Sequence, residues 1–271
     1  MKKALFALAI VLIVLFTIFP LIWLALTSIK TGGDLFQIPP PIFFKPVLSH
    51  WIHVLTYTEF VRYYLNSLVI AGGSVLFALA LASLAAYSLA RFDIWRKENV
   101  ALFILSVRMM PPAAVLIPIY LMYHRLRLLD TLIGLIVLYG VFNLPFAVWI
   151  LRGFFEDIPR ELEEAALVDG CSPLGAFIRV VLPIARPGLL ATGVYCFVLS
   201  INEFFFANVL TGSKARPVSV AVTLFLPTGV RGTEYGKACV AALLIMIPGI
   251  LMYAFFQQFL VRGMTMGALK E

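Results

Sequence analysis

A chain of 271 residues that is 62% hydrophobic and 13% charged, with a mean hydropathy of +1.00, is too apolar for a soluble domain, whose surface alone needs more polar side chains. The formal net charge of +7 would suggest a nucleic-acid partner in a soluble protein, but here the basic residues flank apolar runs, where they meet anionic headgroups; the expected partner is membrane lipid and not nucleic acid. Cys171, Cys196 and Cys239 are odd in number and too widely spaced for a C-x-x-C site, which indicates neither a disulfide framework nor zinc.

An apolar run of about 20 residues crosses the ~30 Å hydrocarbon layer. Six such runs follow one another, at residues 4–26, 66–90, 100–123, 131–151, 187–209 and 237–261, and predict an all-α polytopic membrane protein forming a single domain over 1–271. The first run follows Lys2 and Lys3; it is longer than the 7–15 residues typical of a signal-peptide core and no A-x-A site follows, so it reads as a retained span. An even number of spans, with Lys2 and Lys3 beside the first, places both termini in the cytoplasm.

The connections alternate accordingly. Residues 27–65 form an outer cap, broken by Pro39, Pro40, Pro41 and Pro46, with Trp51, Tyr57, Tyr63 and Tyr64 as interfacial aromatics. A short cytoplasmic turn over 91–99 carries Arg91, Arg96 and Lys97, and residues 124–130 make a tight outer connection. The Gly- and Pro-containing segment 211–236 lies outside, which leaves 152–186 as the one long cytoplasmic loop.

That loop carries two helix-start signals and one stop. Pro159 suits a first helical position, and Glu161, Glu163 and Glu164 place negative charge where the first-turn N–H groups favour it. Gly170 tolerates the left-handed conformation that ends a helix, and Ser172 followed by Pro173 starts another, so the loop is a helix-turn-helix. Leu162, Ala165 and Ala166 share one face of the first helix, with Ala165, Ala166 and Gly170 small enough for close backbone approach; the second helix offers Leu174, Phe177 and Ile178. Such an apolar pair docks either on a protein partner or on its own membrane bundle, and the residues alone leave both open.

Within the spans, Arg108 and Glu203 are costly charges that need partners or water. At 1.5 Å per residue they lie about 12 Å and about 24 Å from the cytoplasmic ends of their spans, so a direct pair requires tilt or a broken helix. Asn202, Glu203 and Phe204 are read as pathway or gate residues, and Arg108 as an inner-half residue that pairs with a neighbouring span or snorkels. The nearest approach to a P-loop, at 231–238, has Arg231 at its first position and Ala238 at its last. His50, His53 and His124 have no acidic or cysteine cluster beside them, and neither H-E-x-x-H nor G-x-S-x-G occurs. The expectation is a non-enzyme that binds no cofactor or metal itself. An ion-coupled secondary transporter is the alternative, although no internal repeat accompanies the solitary Glu203.

Glu164-Ala165-Ala166, with Gly170 after three further residues and Val180-Val181-Leu182-Pro183 beyond, resembles the EAA loop of permease subunits in binding-protein-dependent ABC importers. Val180 stands where the family often has isoleucine. Asn66-Ser67, the stretch from Ala86 to Phe92, Arg108 to Pro112, and Asn202 to Phe205 resemble the carbohydrate-uptake class of that family. The resemblance implies a subunit of the cytoplasmic (inner) membrane that pairs with a homologous second permease subunit. Two ATP-binding subunits would use ATP and Mg, and an extracytoplasmic solute-binding protein would deliver a sugar, oligosaccharide or sugar derivative. Glu164, Ala165, Ala166 and Gly170 match the coupling motif, with Asp169, Leu174 and Phe177 beside them as contacts to the ATP-binding subunit. It further implies that 211–236 faces the binding protein, that 262–271 contacts the ATP-binding subunit, and that transport proceeds by alternating access. Phe204, Phe205 and Phe206 offer ring faces suited to a pyranose, but they point in different directions around a helix.

Overall fold

The computed structural model of the chain describes residues 2–226 and 234–266, and these are helical throughout their ordered elements. The main helices are α1 (Lys2–Ser28), α2 (Ser49–Thr56), α3 (Phe60–Arg91), α4 (Lys97–Ser106), α5 (Pro112–Arg125), α6 (Leu132–Glu156), α7 (Arg160–Val168), α8 (Pro173–Ala176), α9 (Arg186–Ile201), α10 (Phe205–Leu210) and α11 (Tyr235–Met266). Among the described residues, four stretches are long and apolar enough to span a bilayer unbroken: Leu5–Ser28, Phe60–Arg91, Leu132–Glu156 and Tyr235–Gln257. Two bent pairs bring the number to six: Lys97–Met109 with Pro112–Arg125, bent by 87°, and Pro173–Ile184 with Arg186–Ile201, bent by 75°.

The first bend has a local cause. Met110 precedes Pro111 and is extended at ψ 129°, because the proline ring disfavours helical backbone in the residue before it; Pro112 then starts α5 at a position where a missing N–H costs nothing. The predicted third span at 100–123 is therefore two helices. The predicted fifth span at 187–209 is also divided, since α9 stops at Ile201 and α10 starts at Phe205. Span two begins at Phe60, six residues before the predicted start, so Tyr63 and Tyr64 are helical and not part of the outer cap.

The described residues pack as two compact units, one from residues up to 65 and from 218–247, the other from 66–217 and from 248 onward. In the first, Val54, Phe60, Tyr63, Val218, Ala221, Phe225, Val240 and Ala241 form the core. There α2 is tied to the end of α1: the Trp51 indole N–H donates to Ser28 Oγ at 3.2 Å, and a His50 ring nitrogen lies 3.0 Å from the Lys30 carbonyl. In the second unit Ala78, Ala82, Ala86 and Ala90 recur every fourth residue along α3 and are buried, a small-residue row that lets neighbouring helices approach closely. Gly140 on α6 serves the same end, since a Cβ there would lie 2.3 Å from Phe77 Cδ1 of α3.

Candidate functional site

The loop joining α6 to α9 takes its shape from capping chemistry. Helix α7 ends in a Schellman turn: the Gly170 N–H donates to Leu167 O at 3.1 Å, the Cys171 N–H donates to Ala166 O at 3.0 Å, and Gly170 sits at φ +89°. Ser172 Oγ then accepts the Gly175 N–H at 3.1 Å with Pro173 at the first helical position, which starts α8. After one turn the backbone widens into a π-helical turn over Phe177–Val181, a feature the helix-turn-helix reading did not anticipate and one that recurs at functional sites.

The loop has an inner and an outer face. Phe177 is 3% exposed and Ala166 is buried, so these two predicted contact residues point into the chain's own core; Phe177 packs on Tyr87 at 4.5 Å and on Phe155 at 6.0 Å between ring centroids. Glu164, Ala165, Asp169 and Gly170 are exposed. Val168 is 87% and Leu174 57% exposed, with Leu162, Leu167 and Ile178 beside them, which makes an apolar ridge bordered by carboxylates.

The inner face is held by charge as well as by rings. The carboxylate of Glu163, not of Glu164, turns inward: one oxygen accepts the Tyr87 hydroxyl and the other accepts the Arg91 Nε–H at 2.9 Å. Arg91 also donates from Nη2 to Ile158 O at 2.8 Å. Nearby, Arg152 of α6 binds Glu98 of α4 in bidentate fashion and Glu156 at 2.7 Å, which ties the end of α6 to the start of α4. Arg91 and Tyr87 lie in the quoted Ala86-to-Phe92 motif, and Glu163 is the immediate neighbour of the EAA glutamate. Spacing alone could not say which of two adjacent glutamates faces inward.

The intramembrane candidates meet because both spans are broken. Arg108 and Glu203 line one cavity of about 120 Å³, with Tyr139, Asn143, Ser200 and Phe206 among its walls. Arg108 lies over the rings of Phe142 and Phe146, at 5.9 and 5.8 Å from their centroids. Glu203 accepts the N–H groups of Phe206 at 2.9 Å and Ala207 at 3.1 Å and so caps α10, whose first N–H groups the break leaves without helical partners. The buried Tyr139 hydroxyl, without a hydrogen bond of good geometry, faces that carboxylate. Behind it, Asn143 Nδ2 donates to Ser200 Oγ at 2.9 Å, and Ser200 Oγ pairs with Ser74 Oγ at 2.9 Å, joining α6, α9 and α3. Asn202 and Phe204 are exposed, and the Asn202 amide bonds back to Val198 O at 2.8 Å.

Where α5 turns into α6, Asp130 accepts N–H groups of Ala215 at 2.9 Å and Lys214 at 3.2 Å, and Asn66 Nδ2 donates to Lys214 O and Arg216 O. Burial would raise the Asp130 carboxyl, but the N–H groups of Ala215, Lys214 and Gly212 and the Lys214 charge hold it below the ordinary value. Residues 227–233 of the predicted binding-protein segment and 267–271 of the predicted C-terminal contact lie outside the described residues.

Comparison with known proteins agrees with this architecture. The family described as "Binding-protein-dependent transport system inner membrane component" matches residues 78–266. The chain is 36% identical over 253 residues to a probable ABC transporter permease protein of Sinorhizobium fredii, covering 93% of this chain and 90% of the relative. It is 31% identical over 274 residues to the trehalose/maltose transport system permease protein of Thermococcus litoralis, covering 100% and 98%. Among solved structures, a bacterial ABC transporter involved in the import of the acidic polysaccharide alginate contains a chain with a TM-score of 0.78 and 25% identity, over 95% of both chains.

Proposed function

The chain belongs to the family of binding-protein-dependent transport system inner membrane components, the permease subunits of ABC importers, and on that premise we propose that it forms half of a carbohydrate pathway driven through its 152–186 loop. A homologous second permease subunit completes the path, and two ATP-binding subunits, using ATP and Mg, dock on the coupling loops. An extracytoplasmic binding protein delivers the sugar. Both termini face the cytoplasm, with Lys2 and Lys3 beside the first span.

The observation that carries this reading is the division of the loop into an exposed apolar ridge, led by Val168 and Leu174, and an inner face anchored by Glu163 and Phe177. A loop that merely covered its own bundle would turn its apolar residues inward. This one presents them at the cytoplasmic side while fixing its back to the spans, the arrangement a docking element needs to pass on a displacement. Relatives named for trehalose and maltose and for alginate support a carbohydrate as cargo. The cavity holding Arg108 and Glu203 supplies polar groups along the path, with Asn202 and Phe204 at the helix break beside it.

Reconstitution with the second permease, the ATP-binding subunits and the binding protein tests the reading. Uptake of a labelled oligosaccharide should require ATP inside the vesicle and persist when ionophores collapse ion gradients. Uptake that follows an ion gradient and ignores ATP would establish the secondary-transporter alternative.

A further inference from the structure

The 152–186 loop is covalently continuous with α6 and α9, and a push on it reaches those two helices through the backbone. Helix α3 has no such connection, yet one turn of it is gripped by three successive parts of the loop. Arg91 holds the Ile158 carbonyl just before α7, Arg91 and Tyr87 share the Glu163 carboxylate within α7, and the Tyr87 ring packs on Phe177 after α8. Tyr87 therefore touches both arms of the helix-turn-helix with one side chain. A carboxylate with one oxygen on a phenol and the other on a guanidinium is fixed in orientation as well as position. With Arg91 and Glu163 side chains only 7% and 13% exposed, the pair escapes the screening that makes surface ion pairs weak.

We propose that Tyr87 and Arg91 are positioning residues that carry the displacement of the coupling loop into α3, so that this span moves with the ATP-binding subunit although no backbone joins them. The proposal rests on the reading that the loop docks there and adds the route by which the motion leaves it. That route is a physical contact with defined partners, so it can be broken one atom at a time. Tyr87→Phe removes the hydroxyl and keeps the ring on Phe177; Glu163→Gln removes the charge and keeps the shape.

The test uses the reconstituted four-component complex with three readouts: co-purification of the ATP-binding subunits, substrate moved per ATP hydrolysed, and nucleotide-dependent amide exchange at 84–91 and at 160–168. Both variants should retain their ATP-binding subunits and hydrolyse ATP. Substrate moved per ATP should fall roughly tenfold, and 84–91 should lose its response to nucleotide while 160–168 keeps its own. Exchanging the charges, with Arg91→Glu and Glu163→Arg together, should recover part of the loss that either single change produces. Unchanged transport per ATP in both single variants would overturn the proposal. Loss of the ATP-binding subunits would also overturn it, since the contacts would then only keep the docking surface in shape. A wild-type chain that never binds ATP-binding subunits would refute the functional reading itself.

Discussion

Gly170 separates two demands, backbone conformation and empty space, and the effect of substituting it follows from its geometry. At φ +89° the backbone is in the left-handed region, where a Cβ is normally disfavoured by about 1–2 kcal/mol. A Cβ built there meets nothing within 4 Å, so within this chain the requirement is conformational and not steric. Gly170→Ala should thus shift the turn away from its native geometry by about 5- to 30-fold, the ratio that 1–2 kcal/mol represents. Binding-protein-stimulated ATPase of the reconstituted complex should fall by a comparable factor. Gly170→Asn, which carries the same outward Cβ but tolerates the left-handed region, should recover most of that loss. Alanine behaving as wild type would refute the reasoning outright; alanine and asparagine equally impaired would show that the partner needs the empty space and that the turn's conformation is secondary.

Two further outcomes follow from other positions. Asp130→Asn should loosen residues 212–216, with amide exchange there rising several-fold at pH 7, since hydrogen bonds to a charged acceptor are worth about 1.5–3 kcal/mol and partial exposure reduces that. The native carboxyl is held below its ordinary value, so its contribution is complete above the unfolded pKa of about 3.9 and is lost as pH falls below it; exchange in the two proteins, corrected for intrinsic rates, should converge there. Gly140→Ala forces a Cβ against Phe77 of α3 and should destabilise the bundle by about 1–3 kcal/mol, read as a lower Tm in detergent, with Phe77→Leu in the same chain restoring part of it.

Much of this fold is legible in composition, because a bilayer span announces itself by length and hydropathy alone. The breaks are not, although their residues are in plain view. Pro111 and Pro112 sit in an apolar run whose total length still fits a membrane, and Asn202 and Glu203 matter because one side chain bonds back to α9 while the other caps α10. Those breaks also bring Arg108 and Glu203 to one cavity, which straight helices would have kept apart. In the loop, Gly170, Ser172 and Pro173 are readable from turn and cap chemistry. The inward turn of Phe177, Ala166 and Glu163 depends on which side of α7 and α8 meets α3, and that is fixed by long-range packing on Tyr87 and Phe155.

The exposed apolar ridge of the 152–186 loop, proposed as the docking face, offers the most direct measurement. Val168→Asp and Leu174→Asp place charge on two side chains that are 87% and 57% exposed, so the chain should still fold and insert with its second permease subunit. The ATP-binding subunits should then fail to co-purify and ATP-driven uptake should vanish. A double variant that keeps both the subunits and coupled uptake would contradict the claim that this loop is where ATP hydrolysis is felt.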